Sequence, residues 1–184
     1  MNAASTTRDR ILDALQEILI HEGSSAVTLE AVATAAGVSK GGLLYHFPSK
    51  AAMLTGLVRR LTDQAADEFR EARAEPGGVV RTFLRVSVPT SAEETALYSS
   101  VIAALRGNED VPPEAWELMQ WVFTEWGTLL HEEIGDPVLA ETVRLVGDGL
   151  YLSAMSGLPM PDPLLLERVT DHLIALADEH RRNR

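Results

Sequence analysis

Apolar residues recur along this chain at intervals of three and four, the spacing that gathers them on one side of an α-helix. Ile11, Leu12, Leu15, Ile18 and Leu19 share a face over 8–22, and Gly23 ends that helix. Thr28 is placed to cap a short helix over 29–36, with Glu30 in its first turn favoured by the helix dipole, and Gly37 breaks it. Ser39 caps a second short helix that Pro48 ends, and Ser49 opens a long one to about 74, before the Pro76-Gly77-Gly78 turn. A helix over 79–88 stops at Pro89, and Ser91 and Glu94 have capping-box spacing for one over 92–106. Asp110-Val111-Pro112-Pro113 opens a helix to about 134. Asp136-Pro137 and Asp162-Pro163 each put a capping carboxylate before a proline at the first helical position, for helices over 138–157 and 163–181. Strand-like alternation competes nowhere. The pattern predicts an all-α chain, three short helices followed by six mostly longer ones, with residues 1–7 as a loose polar arm.

Residues 28–50 carry more than helical period. Two helices joined by a turn of three or four residues that contains a glycine make a helix-turn-helix. Such a unit needs a small residue where the helices cross, which Ala33 supplies, and a positive φ in the turn, which Gly37 supplies. Val32, Ala36, Val38 and Leu43 fill the small core between the helices. The helix after Ser39 is a poor choice for stability alone, since Gly41 and Gly42 each cost about 1 kcal/mol relative to alanine. Glycines suit a backbone that must come close to another surface, such as the floor of a DNA major groove. Around them Ser39, Lys40, Tyr45, His46 and Lys50 can all donate to phosphate oxygens. The first N–H groups of the helix that Ser49 and Lys50 begin add an anion site. Phe47, just before Pro48, is expected in the core, and Arg8 and Arg10 are open between a phosphate contact and solvent.

Composition and charge narrow the alternatives. Cysteine is absent from the 184 residues, which excludes disulfide scaffolds, thiolate metal sites and cysteine nucleophiles, and suits a reducing cytoplasm. No uncharged apolar run approaches the ~18 residues of a membrane span. Arg8, Asp9, Arg10, Asp13 and Glu17 interrupt the stretch where an export signal would be apolar. The net charge of −11 argues against nucleic acid until its distribution is considered. Residues 1–60 hold six basic and five acidic side chains, a charge of +1, and the other 124 hold 10 and 22, a charge of −12. A near-neutral head on an acidic body implies two parts with different partners.

Over roughly residues 8–58 the head resembles the DNA-binding domain of the TetR family of transcriptional regulators. The likeness is densest at Ala36-Gly37-Val38-Ser39-Lys40-Gly41 through Leu43, Tyr45-His46-Phe47 and Ser49-Lys50. The resemblance implies a three-helix helix-turn-helix head over 1–48 and a six-helix effector-binding and dimerisation body over 49–184. It implies that Ser39, Lys40, Gly41 and Gly42 face bases, while Thr28, Tyr45, His46 and Lys50 hold phosphates. Two positions depart from the family's pattern: Gly42 stands where relatives often carry a base-reading side chain, and Leu44 where many carry an aromatic. The first moves specificity toward DNA shape, and the second makes Leu44 a packing residue.

In the body, Trp116, Met119, Phe123 and Trp126 lie on one stripe of the helix to about 134. The stripe is either core or the lining of an effector cavity, shared in the second case by Tyr98, Ile102, Tyr151 and Met155. Asp148, between two glycines in an apolar stretch, is either a satisfied partner across a helix or subunit contact or an effector-binding carboxylate. Trp121 points elsewhere, to a neighbouring helix or the surface. His131-Glu132-Glu133 lacks the spacing of a metal site and reads as a solvated helix end. Sequence motifs for catalysis and cofactor binding are missing, so neither an enzyme nor a cofactor is expected. One recognition helix reads few bases, so a homodimer on a palindromic operator is expected. Its contact would use the last two helices, through Val143, Leu145, Val146, Leu150, Leu152 and Ala154 and through Leu164, Leu165, Leu166, Val169, Leu173, Ile174 and Leu176. The expected function is a ligand-responsive repressor that a small-molecule effector releases from double-stranded DNA. The alternative is a helical ligand-binding or enzymatic protein whose head has lost DNA binding.

Overall fold

Capping chemistry sets most helix starts in the structure, a computed structural model that describes residues 6–74, 76–107 and 110–183. Helix α1 (Thr7–His21) begins with a reciprocal box in which the Thr6 hydroxyl accepts from the Asp9 N–H and the Asp9 carboxylate accepts from the Thr6 N–H. The expected loose arm therefore ends before Thr6, and residues 1–5 lie outside the described residues. A 3₁₀ turn over Ser24–Ala26 follows, which the pattern does not foresee. Thr28 caps α2 (Leu29–Ala35), Ser39 caps α3 (Lys40–His46), and the Ser49 hydroxyl accepts from the Ala52 N–H at the start of α4 (Lys50–Ala74).

Beyond these come α5 (Gly78–Val86), α6 (Ala92–Arg106), α7 (Pro113–Ile134), α8 (Pro137–Ser156) and α9 (Pro163–Arg182). Ser91 caps α6, Asp136 caps α8 through the Leu139 N–H, and Asp162 caps α9 through the N–H groups of Leu164 and Leu165. Among the described residues there are nine α-helices and no strand.

Contacts gather the chain into two units. The first holds the residues up to Thr62 together with Ser91–Met119, and the second holds Asp63–Thr90 together with the residues from Gln120 onward. The first is thus larger than the 1–48 head, because the apolar face of α1 is completed by α6. Ile11, Leu12, Leu15 and Leu19 share a core with Leu43, Phe47, Met53, Leu57, Leu97, Val101 and Leu105. The second unit packs Phe69, Phe83, Trp126, Leu129, Leu130, Val143 and Leu173. There α5 crosses α8 so closely that a Cβ on Gly147 would lie 2.3 Å from the Phe83 ring.

Candidate functional site

The helix-turn-helix requirements are met by the expected residues. Val32, Ala33, Ala36 and Leu43 are buried, Val38 packs against them, and Gly37 has φ +64°. A side chain there would be strained. The Thr28 hydroxyl spends its acceptor on the Ala31 N–H and keeps its hydrogen for an outside acceptor. On α3, Ser39 caps through the Gly42 N–H at 3.0 Å, and a Cβ on Gly41 would meet nothing within 4 Å. Nothing inside the fold therefore requires a glycine at 41. Tyr45 is 86% exposed, its ring edge-on to His46 at 5.2 Å. Leu44 and Lys50 are half-buried, and Phe47 is in the core. Ser39, Lys40, Gly41, Gly42, Tyr45 and His46 thus sit on one short helix and its cap, with Thr28 capping the preceding helix and Lys50 opening the next.

Two cations take partners that sequence reasoning misses. Lys40 pairs with Glu30 of α2, and this hydrogen bond is the main reason that the Glu30 carboxyl is held below the usual range. A phosphate must displace an exposed carboxylate to engage Lys40, a modest cost for a pair of this kind. Arg10, left open between phosphate and solvent, turns inward: its Nη2 donates to the carbonyl of Ala36 at 3.1 Å and lies 3.5 Å from that of Gly37. The signal existed in principle, since carbonyls at a helix end favour a cation, but it joins positions 26 and 27 residues apart.

The residues expected around an effector divide between the units. Tyr98, Ile102, Trp116 and Met119 belong to the first and are half-buried. In the second, Trp126 is core, edge-on to Phe69 at 4.8 Å and tilted on Phe83 at 5.5 Å. Phe123 is 41% exposed and meets Tyr151 edge-on at 5.8 Å, while Asp148 and Met155 are half-buried on the same helix as Tyr151. Asp148 finds its partner on its own helix, accepting from Arg144 at 3.0 Å. Burial raises the Asp148 carboxyl above its usual range, with Arg144 pulling the other way and Glu141 adding to the rise. Trp121 packs edge-on to Phe69.

Glu133 also has a role that its sequence position does not suggest. Its carboxylate accepts from the Val79 and Val80 N–H groups and caps α5, where Gly77 has no capping side chain. Among the described residues no cluster of metal-ligating side chains occurs. No helix among them is long and apolar enough to cross a membrane.

Comparison with known proteins covers both parts of the chain. The family model of bacterial regulatory proteins of the tetR family matches residues 11–57, and that of the tetracyclin repressor-like C-terminal domain matches 77–178. The HTH-type transcriptional regulator UidR of Escherichia coli K12 is 34% identical over 68 residues, 37% of this chain and 35% of UidR. The match thus spans about a third of that relative's length (35%). A solved transcriptional regulator from Rhodococcus sp. Rha1 has the same fold, with a TM-score of 0.70 at 23% identity over 95% of this chain and 97% of that one. The multidrug binding protein EbrR, solved with malachite green, gives 0.66 at 24% identity over 92% and 96%. Matched in head and body alike, the chain belongs to the TetR family of bacterial regulatory proteins.

Proposed function

We propose that the protein is a ligand-responsive transcriptional repressor that acts in the cytoplasm as a homodimer on a palindromic operator. Residues 1–48 read DNA, and 49–184 bind the effector and the second copy. The observation that carries the reading is the outward turn of α3. It presents an unobstructed Gly41 backbone next to a Tyr45 that is almost fully exposed, a combination that lowers stability unless another surface comes to meet it. Thr28, Ser39, Lys40, Gly41, Gly42, Tyr45, His46 and Lys50 make that interface, with phosphates held from the helix starts and bases approached over the glycines.

The body's part rests on two supports. Malachite green in EbrR, a protein of the same fold, supports a small-molecule effector. Phe123, Tyr151, Met155 and Asp148 offer an aromatic and carboxylate surface for one in the second unit, and Tyr98, Ile102, Trp116, Met119 and Trp126 complete the proposed set. The dimer is supported by α8, where Val138, Leu145 and Leu152 are exposed seven residues apart with only Thr142, Gly149 and Ser156 between them on that face. Effector binding acts as a population shift, favouring dimers whose heads are wrongly spaced for the operator. Family membership places the protein among regulators rather than enzymes.

Tyr45→Phe and Lys50→Ala test the interface. Each is expected to keep the wild-type unfolding temperature and to weaken duplex binding, and Lys50→Ala is expected to lower the slope of log affinity against log salt by about 0.9. Wild-type binding by both variants would show that α3 does not dock as proposed.

A further inference from the structure

We propose that Arg8 and Arg10 are positioning residues of this interface: from α1 they fix the two ends of the recognition helix α3, without touching DNA themselves. The inference rests on the DNA-binding reading and adds residues outside the helix-turn-helix. Arg10 holds the leading end. Its guanidinium reaches the carbonyls of Ala36 and Gly37, the last groups of α2 and the turn from which α3 departs. A cation there is favoured by the helix dipole and satisfies acceptors that have lost their helical partners. Arg8 holds the trailing end. Its guanidinium lies over the ring of Phe47, the C-cap of α3, at 5.1 Å from the centroid. That ring is pressed from its other neighbour by the α4 backbone, since a Cβ on Gly56 would come within 2.6 Å of it and within 3.4 Å of Arg8 Nη2.

The mechanical need is specific. Helix α3 is only seven residues long and contains Gly41 and Gly42, so its own hydrogen bonds hold it weakly. Leu43 is its one buried side chain. A helix anchored at one point can tilt about that point, whereas base reading requires its backbone to arrive at a fixed depth and angle. Clamps at both ends supply what a single apolar anchor cannot. Directed at the protein's own carbonyls and ring, both guanidinium groups are already engaged.

Binding of Arg10→Gln and Arg8→Met is measured against a duplex enriched by the wild type and against a random duplex over a salt series. A positioning role predicts that Arg10→Gln loses about tenfold on the enriched duplex, the scale of one charge-assisted hydrogen bond. Affinity for the random duplex and both salt slopes stay as in the wild type. Equal weakening on both duplexes with a slope smaller by about 0.9 would make these residues phosphate contacts and overturn the proposal. Unchanged binding to both would overturn it as well. Amide hydrogen exchange on the DNA-free proteins is the second readout, with faster exchange in α3 and unchanged exchange in α9 expected for each variant. Uniform exchange across the chain would refute the clamp even if no duplex were enriched, so failure of the clamp and failure of the DNA-binding reading are separate results.

Discussion

Gly41 and Gly37 are both glycines of the helix-turn-helix, and their chemistry differs. Gly37 sits at φ +64°, where any side chain is strained. Gly41 has ordinary helical geometry and open space where a Cβ would go, so alanine fits it in the free protein. Gly41→Ala is therefore expected to raise stability by up to about 1 kcal/mol while weakening DNA binding, because the added methyl meets the groove floor. Thermal unfolding and duplex titration of the same sample check both signs, and a variant that was more stable and bound as tightly would show that the backbone at 41 does not approach DNA. At this scale the sequence was informative wherever function and geometry share one residue: Gly37, the capping Thr28 and Ser39, and the buried Val32, Ala33 and Leu43 were all expected as found. It was silent where a role is made by a distant partner. Neither the Arg10 bond to Ala36 nor the Glu133 cap on Val79 and Val80 has a local signature, since each joins elements that only the fold brings together.

Helix positions were legible because serine, threonine and aspartate caps, prolines and glycines act within a turn of where they stand. Faces were less so. Val143 and Leu150 of α8, read as surface for a second copy, are buried within their own unit, while Leu145 and Leu152 of the same helix are about 60% exposed. A helix apolar around most of its circumference does not reveal which side its own fold will take. On α9 the core likewise takes Leu173, leaving Leu164 and Leu165 exposed. Gly147 records why α8 is oriented as it is: a Cβ there would lie 2.3 Å from Phe83 and 2.7 Å from the Ser87 hydroxyl, so only a bare backbone lets α5 approach. Gly147→Ala is expected to destabilise by about 1–3 kcal/mol, the cost of overpacking, despite alanine's better helix propensity. Chemical denaturation measures it, and a stabilised variant would mean that the two helices can move apart without loss.

For the whole molecule, the division expected at 48/49 marks a change of task, and the packing boundary falls elsewhere because α6 closes the core around α1. No pattern in the sequence pairs α6 with α1, since both have ordinary amphipathic periods. The same scale decides oligomeric state. Leu145→Glu together with Leu152→Glu replaces two exposed apolar side chains that no neighbour in the chain requires. In sedimentation the double variant is expected to be a folded monomer with operator binding lost, whereas an unchanged dimer would put the contact on another face.

Selection of bound duplexes from a random pool, followed by counting the subunits on the enriched sequence, tests the central claim most directly. The account predicts a palindrome with half-sites about 10 base pairs apart or a multiple of that, bound by an even number of subunits with an affinity that falls steeply with salt. Well-folded protein that enriches no sequence, or that binds one unrepeated site as a monomer, would contradict it.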